Sequence, residues 1–256
     1  MKKNIYWLFL SLLMCTACDY VAEDERLIAV EKAQAKRVVL LEDFTGQLCV
    51  NCPLGTEKIE QLLTEYGDHV VAVGIHGGPL GYKGNANNIG LATEFGDNYF
   101  RYWNLEYQPI GLVNRHGAVN YSDWTKAVTE ELAKDSPLQM ELSARRQGTR
   151  IAITVKETAL SGDVTGKVQV WVLEDSIQAV QFMPDGSRDR EYIHNHVLRK
   201  EVNGMWGEEV TIALSDTEEQ TYEQEIDAAW NVAHLSIVAF VYNQEGVVQV
   251  VKSKVE

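Results

Sequence analysis

The chain has 256 residues, a formal charge of −14 and the hydrophobic content of a globular protein, which suits one large domain or two of ordinary size. A surface this acidic repels phosphate backbones and anionic headgroups, so nucleic acid is excluded as a partner. Membrane attachment then has to come from something other than basic residues.

Lys2 and Lys3, followed by the apolar run "IYWLFLSLLM", have the make-up of an export leader. It ends in "CTAC", where small Thr16 and Ala17 precede Cys18. This resembles a bacterial lipobox, with Cys15 standing where such boxes carry leucine. Residues 1–18 are therefore read as a lipoprotein signal peptide, with Cys18 lipidated; an ordinary secretory signal or an uncleaved anchor is the alternative. Losing Lys2 and Lys3 takes the charge to −16. Residues 19–35 are polar and charged and read as a tether. No later apolar run reaches the ~18 residues of a spanning helix.

Of the four cysteines, this leaves Cys49 and Cys52 as free thiols in an oxidising compartment, where two at such spacing are most simply a pair. They sit in "GQLCVNCPLG". The apolar run "RVVLLEDF" before them suits a buried central strand. After Pro53, Ile59, Leu62 and Leu63 fall at helical spacing, and Gly67 stops the helix. "HVVAVGI" reads as a second buried strand. Strand, CxxC, helix and strand make a βαβ unit with the cysteines at the helix start, the context in which the motif reads as redox-active. Unpaired N–H groups and the dipole at a helix N-terminus stabilise a thiolate. The spacing predicts Cys49 as the exposed, attacking sulfur and Cys52 as the more buried, resolving one.

Residues 36–135 resemble the thioredoxin fold beyond the motif. Asp43, six positions before Cys49, matches the buried acid that serves proton transfer to the resolving cysteine. In "NLEYQPIGLVNRHGAVNY", Pro109 takes the place of the cis-proline, which implies contact with the cysteines and with bound polypeptide backbone. "HG" at 116–117 is read as a hairpin turn. "SDWTKAVTEELAK" is read as a last helix, with Ser122 as N-cap and Trp124, Val128 and Leu132 on one face. The sequence departs from the thioredoxin pattern at Leu48, at Val50-Asn51 and in the Gly- and Asn-rich "HGGPLGYKGNANNIG". A structural disulfide, a strand-end acid and an ordinary turn proline are the alternative readings of Cys49–Cys52, Asp43 and Pro109. With no second CxxC, a zinc site lacks ligands. No metal or other cofactor is expected.

Beyond about 136 the period changes. Roughly seven short alternating segments, separated by Gly, Asp, Asn and Ser turns, describe an immunoglobulin-like antiparallel β-sandwich over 136–256. "NQEG" at 243–246 is a hairpin turn. The fold class is thus α/β plus all-β, a thioredoxin-like domain followed by a sandwich. The polar excursion over 181–208 contains His194 and His196, whose spacing puts both rings on one strand face, where they could share a metal or simply be hydrogen-bonded. The excursion is also a candidate partner-facing loop.

"VWVLEDSI", "YIHNHVLRKEVNG" and "LSIVAFVYNQEG", behind a CxxC region and a lipoprotein signal, resemble the twenty-eight-kilodalton outer-membrane-protein family of Bacteroidetes lipoproteins. That resemblance implies an envelope lipoprotein held at the outer membrane by lipid, sometimes described as adhesin-like. Glu23, Asp24 and Glu25 are similar to signals that export such proteins to the cell surface, whereas Asp19 favours inner-membrane retention in some bacteria. Two functions stay open. One is thiol–disulfide exchange with exported or surface proteins. The other is a surface binding protein or adhesin on a redox-inert thioredoxin-like scaffold. A disulfide that closes so short a loop gives little chain-entropy benefit, which favours redox use. An accessible Cys49 beside a cis Gln108–Pro109 bond would favour exchange, and a seal by the loop at 76–90 would favour the scaffold. Oligomeric state is left open by the sequence.

Overall fold

The computed structural model describes residues 35–256. The expected leader, lipidated Cys18 and the tether before residue 35 lie outside the described residues.

Strand β1 (Val39–Thr45) is buried at every position, as a central strand covered on both faces must be. Helix α1 (Cys52–Tyr66) crosses over to β2 (Val70–His76), which pairs with β1 in parallel from Val39–Val70 to Thr45–His76. Helix α2 (Glu94–Tyr102) begins at Thr93, whose hydroxyl accepts from the Gly96 N–H. β3 (Ile110–Val113) runs antiparallel on the other side of β1 and turns into β4 (Ala118–Asn120). Helix α3 (Trp124–Leu132) follows. The expected cap at Ser122 is not the one used. The Asn120 side chain accepts from the Ser122 N–H to start a 3-10 turn, and α3 continues from that turn without a side-chain cap.

Eight longer strands follow: β5 (Leu138–Gln147), β6 (Arg150–Ala159), β7 (Val164–Glu174), β8 (Val197–Glu201), β9 (Glu208–Ile212), β10 (Thr217–Glu225), β11 (Leu235–Asn243) and β12 (Gly246–Lys254). β11 and β12 meet at the expected turn, where Gly246 takes a φ of 116°. Nine strands form one sheet in the order β12-β11-β7-β8-β2-β1-β3-β4, with β9 also on β7, while β10-β6-β5 form a second sheet. The result is a mixed α/β fold, mostly antiparallel, with few helices. The larger sheet runs across position 136 because β8 pairs in parallel with β2 at Val197–Gly74, and the Gly74 N–H donates to the His196 carbonyl at 2.8 Å.

Alternation along the strands sorts three cores. Val39 and Leu41 of β1 face Ile59 and Leu62 of α1 and Trp124 and Val128 of α3. Leu40 and Phe44 face the other way, joining Trp171 of β7, Phe240 of β11 and Tyr99 of α2 in a core that both halves of the chain share. The opposite faces of β7 and β11 pack Val170, Val172 and Ile237 on Ile151, Ile153 and Val155 of the second sheet.

The shared core contains a buried ion pair. Glu42 of β1 accepts from Arg115, with Nη2 to Oε1 at 3.0 Å and Nε to Oε2 at 3.2 Å. The guanidinium carbon lies 4.3 Å from the Tyr242 ring centroid and 4.7 Å from that of Phe240. Removing one partner strands the other charge in the core. Arg115→Met is therefore expected to cost on the order of 3–5 kcal/mol in urea unfolding, with most of the loss recovered by Glu42→Leu in the same chain. A double variant no better than the single would show that the two charges are not coupled.

Candidate functional site

Asp43 continues the helix-facing series Val39, Leu41 of β1, which carries its carboxyl toward α1. The chain then turns, with the Cys49 N–H donating to the Gly46 carbonyl at 3.1 Å and that of Cys52 to the Cys49 carbonyl at 3.3 Å. Gly46 is required at this turn, since a Cβ there would stand 2.2 Å from the Leu80 carbonyl oxygen. Cys52 opens α1, and Pro53 follows in the first turn, where a missing N–H breaks no helical bond. Cys49 and Cys52 are joined as a disulfide, with their Cα atoms 5.4 Å apart. The Gln108–Pro109 bond is cis. Pro109 lies against α1 at Gly55, where an added Cβ would come 3.2 Å from the proline Cβ. The Gln108 carbonyl oxygen is 3.4 Å from Cys49 Sγ. Bonded to Cys52, that sulfur has no proton to donate, so this is a contact. The two cysteines and Pro109 thus meet at one end of α1, with Asp43 beside the helix.

The expected exposed sulfur is not found: Cys49 and Cys52 are each 1% exposed. Two segments cover them. The loop from Gly77 to Leu91 reaches over the turn, where the Leu48 N–H donates to the Leu80 carbonyl at 3.1 Å. Gln108 fixes that loop, its Nε2 donating to the Gly77 carbonyl at 3.0 Å and its Oε1 accepting from the Leu80 N–H at 3.1 Å. The second cover is a hairpin within the expected excursion, in which Ile177–Gln178 pairs with Ile193–His194 and Gln181–Phe182 with Arg188–Asp189. The Phe182 N–H donates to the Gln47 carbonyl at 2.9 Å, and Gln181 Nε2 donates to the Cys49 carbonyl at 2.9 Å.

Gln47 binds the whole assembly. Its Nε2 donates to the carbonyls of Ile89 and Val180, both at 3.0 Å, and its Oε1 accepts from the Leu91 N–H at 2.8 Å. One buried side chain therefore ties the cysteine turn, the loop and the hairpin together. Sequence reading missed Gln47 and Gln181, because a glutamine carries no local signal for partners more than 40 or 130 residues away.

His194 and His196 do not share a strand face. His196 takes a φ of 57°, which turns the chain, and its N–H donates to Asp175 Oδ1 at 2.6 Å. His194 instead packs edge-on to His76, with ring centroids 5.3 Å apart. Among the described residues, no group of three or more His, Cys, Asp or Glu is placed to hold a metal.

Burial shapes the titration here. It raises the Asp43 carboxyl to about 8, and Asp43 Oδ1 has no hydrogen-bond partner. Burial, reinforced by the charges of His194 and Arg199, pushes His76 well below the usual imidazole range. His194 is lowered to about 4 by burial, against the opposing backbone of Ala179 and Val180 and the charge of Asp189.

Residues 96–256 match the family model described as Outer membrane protein Omp28. The chain belongs to the Omp28 family. It is accordingly an outer membrane protein. The matched segment takes in Pro109 and the covering hairpin but neither cysteine. HBP35 of Porphyromonas gingivalis superposes with a TM-score of 0.70 at 17% identity, over 88% of this chain and 77% of that one. A domain of the outer membrane lipoprotein Omp28 from Porphyromonas gingivalis is 29% identical over 47% of this chain and 89% of its own, with a TM-score of 0.36. A structural-genomics protein of Agrobacterium tumefaciens is 18% identical, with a TM-score of 0.52 over 86% of this chain and 95% of that one. For HBP35 and the Agrobacterium protein the likeness is one of fold. No curated protein matches the chain.

Because Asp43 titrates near 8 when folded and near 3.8 otherwise, the folded state between these pH values keeps a proton that the unfolded state releases. Stability therefore falls as pH rises from about 4 to 8. Asp43→Asn is expected to abolish that slope and to stabilise the protein at pH 8 by on the order of 3 kcal/mol in denaturant titrations. An unchanged slope would show that Asp43 is ionised in the fold.

Proposed function

We propose that this outer membrane protein exchanges disulfides with exported or surface proteins through Cys49 and Cys52, and that its described form is the oxidised, covered one. In this reading residues 36–135 are a thioredoxin-like unit and residues 136–256 an immunoglobulin-like sandwich that supplies the cover. Cys49 is the sulfur attacked, Cys52 the leaving and resolving sulfur, Asp43 the proton carrier and Pro109 the residue that aligns a partner's backbone. The observation that carries the reading is the meeting of the disulfide with the Gln108–Pro109 segment at the start of α1, with a buried acid on the neighbouring strand. A disulfide, an acid that burial keeps protonated and the Gln108 carbonyl 3.4 Å from Cys49 come from three separate stretches of the chain. An acid held protonated inside the fold, on the strand that leads into the cysteine turn, costs stability, which makes sense where a thiolate has to be made and neutralised. Lipid attachment at Cys18 and display on the cell surface belong to the same proposal.

A second reading is favoured by the cover. A disulfide with both sulfurs buried and clasped by Gln47 and Gln181 could serve as a fixed clip in a surface binding protein or adhesin. Access separates the two. Under native conditions, dithiothreitol is expected to open the disulfide of the lipid-free protein slowly. Gln181→Ala, which removes the hairpin's side-chain bond to the Cys49 carbonyl, is expected to speed opening about tenfold. The reduction potential should lie above about −280 mV. Sulfurs that react only after unfolding in both proteins, or a potential below about −300 mV, would give the adhesin reading precedence.

A further inference from the structure

Asp43, His76 and His194 come from β1, from β2 and from the covering hairpin, yet all three line one cavity of about 30 Å³. Each has a buried polar atom without a partner: Asp43 Oδ1, His76 Nδ1 and His194 Nε2. Asp43 and His76 reach the same face because Asp43 pairs with Gly74 and Thr45 with His76, a diagonal on one side of the sheet. Native interiors rarely leave three such atoms unpaired around one void, since each costs about 1–3 kcal/mol. One water has the right size for this cavity and makes 2–4 hydrogen bonds, by the usual behaviour of buried water. The cavity's helix wall is Thr56, Ile59 and Glu60 of α1, and Thr56 stands one turn after Cys52 on the same helix face. On the outer side, the half-buried Tyr192 ring packs on His194 at 4.8 Å.

We propose that Asp43, a cavity-held water and the His76–His194 pair form an internal proton relay that serves Cys52. The proposal rests on the exchange reading above and adds the route by which its proton travels. Cys52 is 1% exposed, so its proton donor has to be inside the fold. Both histidines are neutral in the fold, and a neutral imidazole passes a proton by accepting on one nitrogen and donating from the other. The titratable and charged groups facing the relay are Glu60 on the helix, Tyr192 and Asp189 on the hairpin, and Arg199 and His196 at the seam. None of them makes a hydrogen bond to the three unpaired atoms.

The step balances as follows. A thiolate of an exported dithiol attacks Cys49 Sγ. The new S–S bond forms as the Cys49–Cys52 bond breaks, and the electron pair leaves on Cys52, which takes the proton of Asp43. The second substrate thiolate attacks the substrate sulfur of the mixed disulfide, and Cys49 leaves with that pair and takes a proton from solvent while the Gln181–Phe182 arm is still lifted. The substrate is oxidised to a disulfide and the Cys49–Cys52 pair is reduced. Asp43 regains its proton from solvent by way of His194, His76 and the water, in place of the proton that the substrate thiol released.

The test is the rate at which dithiothreitol opens the native disulfide between pH 5 and 9, in the wild type and in His76→Gln and His194→Gln. The relay variants should react at least about tenfold more slowly at pH 6–8, with the equilibrium potential at pH 7 unchanged. A wild-type reaction that slows in deuterated water, with a curved dependence on deuterium content, would be the second support and needs no variant to fold. Variants sharing the wild-type pH–rate profile, or a reaction indifferent to deuterium, would overturn the relay while leaving exchange standing. If neither the wild type nor Gln181→Ala reacts while folded, exchange itself fails and the relay falls with it.

Discussion

One backbone hydrogen bond, from the Gly74 N–H to the carbonyl of His196, joins the two halves of the chain within a single sheet. It sets β8 beside β2 in parallel, and through that single register the strands on either side of position 136 become one sheet. Everything distinctive about the site follows from that seam. The hairpin before β8 has to lie over the end of β1, which is where the cysteines are. His194 has to pass His76. Without the seam, the two halves would each need a separate surface. With it, they share a core that closes around Arg115 and Glu42.

The shared core explains why an ion pair is tolerated in it. Arg115 sits in the turn between β3 and β4 with a φ of 61°, so its side chain enters the core from the edge of the sheet. There the faces of Phe240 and Tyr242, from the far end of the same sheet, flank the guanidinium. Charge, ring faces and carboxylate come from the β3–β4 turn, β11 and β1, three segments far apart in the sequence. The pair therefore favours this arrangement over others in which the two halves pack separately.

What could be read from the sequence was local. The apolar runs at Val39 and Val70, the helical spacing of Ile59 and Leu62, and the "NQEG" turn follow from period and turn chemistry, and they appear where expected. The meeting of Cys49, Cys52 and Pro109 was legible because each belongs to a motif with its own local signature. The cover was not. Gln47 and Gln181 act through contacts that depend on the seam at Gly74, and no window of sequence contains both sides of that seam. The histidines misled for the same reason: His-x-His spacing describes a straight strand, but the chain bends at His196 to reach β2. Ser122 lost its capping role to Asn120 by two positions, a typical uncertainty at a helix start.

The hairpin over the cysteine turn is, in binding terms, a ligand that never diffuses away. Its backbone bond from Phe182 to Gln47 and its side-chain bond from Gln181 to Cys49 occupy the places where an incoming strand would have to bond. A tethered segment of this kind competes at an effective concentration in the millimolar range. In the exchange reading proposed above, a visiting polypeptide has to displace the Gln181–Phe182 arm, so its apparent affinity is its intrinsic affinity reduced by the fraction of molecules with that arm lifted. Casual contact with exported chains would then be filtered out, and only a partner that offers better strand pairing than the protein offers itself would reach the sulfurs.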